Sequence, residues 1–117
     1  MGLYERFYWL FQRILYDLNA RDKNYRLVFT HNIPDNCKGQ AVRLTRTVEI
    51  RPDLELLDMI QTIAHEAFHV MQYHSPEWEP LWKHDKAVYE KAAEDFCRLY
   101  AWYYYWLFRG PQRRIYL

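Results

Sequence analysis

Ile63-Ala64-His65-Glu66-Ala67-Phe68-His69-Val70-Met71-Gln72 contains an H-E-x-x-H pattern: two imidazoles four residues apart, with a carboxylate directly after the first. On an α-helix, positions four apart differ by about 40° around the axis and about 6 Å along it, so the two rings can converge on one cation. Two neutral nitrogens suit zinc, and a carboxylate beside the first can accept a proton from water at an open coordination position. In a chain of 117 residues with 5 His, this pattern is expected by chance only about 0.014 times. The competing reading is an ordinary solvated helix face that happens to carry two histidines and a glutamate.

The segment around the motif reads as a helix. Pro52-Asp53 marks its start, with Asp53 as N-cap, and it runs to about Tyr73 before Ser75-Pro76 stops it. Leu56, Ile60, Ile63, Ala67 and Val70 fall in one apolar stripe. His65 and His69 lie about 160 to 220° from the stripe's centre, so they are expected to face away from the main core, with Asp58, Gln61 and Gln72. That is what a cleft wall needs.

Upstream, residues 3 to about 19 carry apolar side chains at the 3.6-residue period, and 19–24 is a polar break. Residues 25–30 read as a strand and 32–39 as a loop. Residues 40–51 read as one or two strands, with Thr45-Arg46-Thr47 as the dividing turn. Downstream, 77–109 reads as one long helix, or as two broken near Pro80 or Asp85, ending at Gly110-Pro111. The expected architecture over 1–117 is a single α+β domain: N-terminal helix, small two- or three-stranded sheet, histidine helix, C-terminal glutamate helix. An edge strand from 40–51 beside the cleft would suit an extended peptide.

A catalytic zinc has three protein ligands, so a third is needed. Glu90 and Glu94 share one face of the last helix with Ala93, Cys97 and Ala101, whose small side chains allow close approach of a neighbouring helix. A solvated glutamate pair is the bland alternative, although that face lacks lysines at the Glu-to-Lys spacing.

The motif, followed by Tyr89-Glu90-Lys91-Ala92-Ala93-Glu94-Asp95-Phe96, resembles the gluzincin metallopeptidases, especially their small single-domain, minigluzincin-like forms, over roughly residues 25–101. In that family H-E-x-x-H, often followed by Gln, is completed by a glutamate on a later helix in a minimal zincin-like fold. The resemblance implies one Zn2+ held by His65, His69 and Glu90, with Glu66 as general base, Glu94 orienting a zinc-bound histidine, and hydrolysis of peptide or protein substrates. Ala92 stands where the small forms often carry an acid, which leaves Glu94 open as the ligand. A rival assignment uses His74, because His74-Ser75-Pro76-Glu77-Trp78 is similar to the segment supplying the third histidine in SprT-like proteases, which act on DNA-bound proteins. His74 is five residues after His69, about 140° away on a continuing helix, and would need a sharp turn to bind. Ser75 occupies the place of the third histidine of metzincins, and no glycine follows His69. Tyr73, His74, His84 and Tyr89 are the candidates to support an oxyanion.

Composition sets bounds on the rest. A net charge of +1 offers no electrostatic case for nucleic acid, and only Arg109, Arg113 and Arg114 make the end basic. Cys37 and Cys97 lack C-x-x-C spacing, so neither a zinc knuckle nor a disulfide framework is indicated. The apolar N-terminal stretch is interrupted by Glu5, Arg6, Arg13 and Asp17, unlike a signal peptide or membrane span, which points to a cytoplasmic protein. Gly2 is placed for myristoylation, but Arg6 stands where that signal wants Ser or Thr. Aromatic residues concentrate at both ends, including Tyr4 to Tyr16 and the segment 100–117 with Trp102 and Trp106. Two terminal helices packing on one another would bury them; alternatively they serve a protein or membrane-surface contact, and the protein is a non-catalytic, zinc-stabilised binding or membrane-associated module.

Overall fold

Helix α1 (Leu3–Asp17) opens the computed structural model, which describes the backbone of residues 2–115 and the side chains of 2–110. Phe7, Leu10, Phe11, Ile14 and Leu15 are its buried residues, the three- and four-residue spacing of an amphipathic helix. A 3-10 turn (Arg21–Lys23) follows in the polar break, with Asn19 and Asn24 in the left-handed region at φ 56° and 61°, which asparagine tolerates better than most residues.

Strands β1 (Arg26–Phe29), β2 (Gly39–Val42) and β3 (Thr47–Ile50) form one sheet in the order β1-β3-β2. β3 is central, parallel to β1 and antiparallel to β2. The division of 40–51 into two strands is as expected, and the turn closes with Arg46 at φ 52°. β2 is an edge strand.

Helix α2 (Leu56–Tyr73) carries the H-E-x-x-H motif. Its N-cap is Glu55, not Asp53, because Pro52 and Asp53 are spent in a turn that carries the chain off β3. It ends where Ser75-Pro76 requires, with His74 as C-cap. The expectation that the histidines face away from the core holds for His65, which is partly exposed and lines a cleft, and fails for His69. Glu66, His69 and Gln72 are buried along with the apolar stripe, His69 at 5% exposure. The wheel locates the most apolar stripe, but the last helix, α4 (Lys86–Ile115), packs against α2, and its Ala93, Cys97 and Ala101 are all buried. Small side chains there allow the close approach.

Helix α3 (Glu79–His84) takes Pro80 in its first turn, where the missing N–H costs nothing, and Asp85 breaks it from α4 (Lys86–Ile115). Asp85 Oδ1 then accepts from the Val88 N–H at 3.3 Å, capping the new helix. α4 does not end at Gly110-Pro111 but continues to Ile115. Gly110 has no Cβ for the proline ring to meet, which removes part of the usual restriction on the residue before proline. The side chains of Arg113 and Arg114 lie outside the described residues.

The terminal helices clasp one another. Phe7 and Phe108 stack at 4.8 Å, the Arg6 guanidinium lies over the Phe108 ring and donates to its carbonyl, and Tyr104 donates to Asp17 at 2.8 Å. α4 keeps Leu99 and Trp102 exposed, while the half-exposed Tyr103 accepts from Arg13 of α1 at 3.2 Å. Among the described residues no helix is long and apolar enough to cross a membrane.

Candidate metal centre

α2 and α4 bring three donor atoms together. His65 Nε2 and His69 Nε2 are 3.1 Å apart, and Glu90 Oε2 lies 3.2 Å from the second and 3.9 Å from the first. A tetrahedral zinc with bonds of about 2.0–2.2 Å sets its ligand atoms about 3.3–3.6 Å apart, so this triangle fits such an ion with small side-chain adjustments.

The hydrogen bonds behind the rings decide what points into the triangle. Gln72 donates through Nε2 to the Tyr89 carbonyl at 2.9 Å, so its Oε1 is the atom facing His69 Nδ1, at 2.8 Å. An amide oxygen only accepts, so His69 Nδ1 carries the proton. His65 Nδ1 faces Glu94 Oε1 at 3.2 Å, and a carboxylate likewise accepts. With Nδ1 bearing the N–H in each ring, the two Nε2 atoms turn their lone pairs toward each other and toward the Glu90 carboxylate. Three converging lone pairs repel in the absence of a cation, and are what a cation requires. Burial, aided by His69, lowers the His65 pKa from its ordinary 6.5, which keeps that ring neutral at pH 7.

Glu66 sits beside this group, 3.9 Å from His65 Nε2, and is buried. Burial raises its pKa, with the Glu90 charge adding to the effect and an Ala41 backbone hydrogen bond opposing it, and the result is about 8. That backbone group belongs to β2, so the edge strand and the carboxylate are in direct contact. A cleft of about 440 Å³ opens beside the triangle at His65 and Glu66, its other walls including Cys37, Lys38, Glu94 and Cys97, with His69 and Glu90 outside the residues that line it. A smaller one of about 220 Å³ is lined by Arg43, Tyr73, Glu79, Trp82 and Tyr89. The wider depression at Tyr16, Asp17, Asn19, Arg21 and Asp22, about 760 Å³, lies at the far end of α1 and holds no group of metal-ligating donors among the described residues.

The remaining candidates separate. Glu94 stands behind His65 rather than in the triangle, and is also 3.8 Å from Arg98. His74 is turned away, its Nε2 2.9 Å from the Tyr25 hydroxyl, and among the described residues it belongs to no group of converging donors. His84 is exposed at the end of α3. Tyr73 stacks near His69, and its hydroxyl donates to the Ala41 carbonyl over a long 3.4 Å. Burial holds the Tyr73 hydroxyl protonated, its pKa pushed up to about 12. Tyr89 stacks on His69 at 5.4 Å, and its buried hydroxyl has no hydrogen-bond partner among the described residues.

Two functional groups escaped the sequence reading. Gln72 was grouped with the polar face but given no role; its signal was its place three residues after His69, one turn along the same side. The Ala41 contact had no signal in the sequence, because it depends on which strand lands at the sheet edge.

His65, His69 and Glu90 thus form a group able to hold a metal ion in an α+β fold. No family model, curated protein or solved structure matches the chain.

Proposed function

We propose that the protein is a zinc-dependent metallopeptidase of the endopeptidase type, with His65, His69 and Glu90 as ligands and Glu66 as general base. The observation that carries this reading is the triangle of three converging donor atoms with a buried carboxylate beside it. A bound zinc would supply Lewis-acid polarisation of a carbonyl and would acidify water. Glu66, buried beside the triangle, takes a proton from the attacking water and returns it to the leaving amine. Glu94 and Gln72 hold His65 and His69 in the tautomers that ligation needs. β2 presents its outer edge beside Glu66, where an extended peptide can add as a further strand. Tyr73, kept protonated beside Ala41, is the donor best placed to support the oxyanion.

In this reading the protein works in a reducing, cytoplasmic compartment, which suits its two free thiols. The SprT-like alternative draws no support from His74, which is engaged with Tyr25. A non-catalytic binding module is the second reading, favoured by the outward Leu99 and Trp102 at 73% and 59% exposure. The experiment is zinc content together with cleavage of an unfolded protein mixture, for the parent and Glu66→Gln. The variant should keep its metal and lose at least about 100-fold in rate. Undiminished cleavage by Glu66→Gln would overturn the general-base assignment, and a zinc-loaded parent that cleaves nothing would favour the binding module.

A further inference from the structure

His65 has a second nitrogen, and it too faces potential ligands. His65, Glu94 and Cys97 each offer a donor atom within 4.8 Å of the others, and it is His65 Nδ1 that faces Glu94 Oε1, at 3.2 Å. Cys97 is buried at 7% exposure and its thiol donates to the Glu94 carbonyl at 3.2 Å, so the sulfur is already oriented by its own helix. All three side chains open on the same cleft as Glu66. Zn–S bonds of about 2.3 Å and Zn–N or Zn–O bonds of about 2.0–2.2 Å are within reach after a modest rotation of the cysteine.

We propose that His65 Nδ1, Glu94 and Cys97 form a second metal site, selective for thiophilic ions, whose occupation excludes a metal from the His65–His69–Glu90 site. The donor chemistry sets the selectivity, since a thiolate favours soft and borderline ions, whereas the first site offers two imidazoles and a carboxylate. The exclusion follows from the ring. A neutral imidazole has one lone pair and one N–H. For the first site Nδ1 keeps the proton and donates it to Glu94. For the second, the Cys97 thiol releases its proton to solvent, and the ring proton moves to Nε2, where it faces His69 Nε2 at 3.1 Å. That N–H then donates into the His69 lone pair, so the first site is closed by a hydrogen bond while the second is filled. The exclusion rests on the reading of the first site; the existence of the second does not.

The test is titration of the metal-free full-length protein with Cd2+, read by its thiolate charge-transfer absorption in the ultraviolet. One equivalent of absorption should appear in the parent, in Cys37→Ser and in Glu90→Gln, and should be lost in Cys97→Ser and shifted at least tenfold toward higher Cd2+ in Glu94→Gln. As a readout needing no variant, Cd2+ should protect Cys97 of the parent from alkylation, scored by peptide mass. Absent absorption in the parent, its survival in Cys97→Ser, or an unprotected Cys97 overturns the site. Equilibrium dialysis with Zn2+ and Cd2+ together should find one bound ion per chain; two would overturn the exclusion while leaving the site standing. Loss of zinc-dependent cleavage in the parent would instead strike at the first site's function, without touching the Cd2+ result.

Discussion

Gln72 shows how a residue with no chemistry of its own governs a site. It is fully buried, accepts from His69 and donates to the backbone of α4 at Tyr89, tying the ligand's tautomer to the packing of two helices. Replacing it with Leu keeps the bulk but leaves the His69 N–H without an acceptor, and zinc affinity should fall about 10- to 100-fold in a chelator competition. Glu66 makes a pH-dependent statement about stability. Its pKa is about 8 when folded and metal-free, against an ordinary 4.5, so the folded state binds the proton more tightly and stability declines as pH rises through that window. His65, whose pKa is lowered, opposes this only below its ordinary 6.5. Between pH 6.5 and 8 the Tm of the metal-free protein should therefore fall, and Glu66→Gln should flatten the slope; an equally steep slope in the variant would contradict the assignment. At this scale the sequence was most legible for the histidines and Glu66, because one helix fixes their mutual geometry. Glu90 was reachable only as one of two acids, since choosing it over Glu94 requires the rotation of α4 against α2.

Among the elements, the close approach of β2 to α2 is what puts a strand edge beside Glu66. Gly39 permits it: a Cβ there would stand 2.7 Å from Ile50 Cδ1, 3.0 Å from the Glu49 carbonyl and 3.0 Å from Thr62 Cγ2. Gly39→Ala should destabilise by about 1–3 kcal/mol in urea unfolding, as overpacking does. It should also slow cleavage while leaving zinc affinity within about twofold, because the ligands sit on α2 and α4; unchanged stability would show that the strand has room to yield. Element type was readable wherever a periodic apolar pattern ran for several turns, as in α1 and α2. Boundaries were not: Asp53 looks like a cap but is consumed by a turn, and Pro111 looks like a terminator but follows a glycine. The burial of His69 was misjudged because a wheel counts apolar side chains, whereas Ala93, Cys97 and Ala101 let α4 pack against α2 by being small.

Across the whole molecule, α2 is held between the sheet with α1 on one side and α4 on the other, so the candidate centre is assembled from the packing that also forms the core. Metal binding to the folded chain alone would stabilise that arrangement by mass action. The aromatic ends divide by position: Phe7, Tyr104 and Phe108 close α1 against α4, while Trp102 is left exposed, a split that composition alone did not reveal. The order of elements was legible from the sequence, and the edge strand expected within 40–51 is β2, whereas the parallel pairing that puts β3 at the centre depends on long-range contacts. The central claim is that two helices contribute one metal site, with Glu90 as third ligand. It is tested most directly by Zn2+ affinity against a chromophoric chelator for Glu90→Ala and His74→Ala, both in a Cys97→Ser background so that no thiolate can substitute. Glu90→Ala should bind at least about 100-fold more weakly and His74→Ala should match the background; unchanged affinity in Glu90→Ala, with or without a loss in His74→Ala, would contradict it.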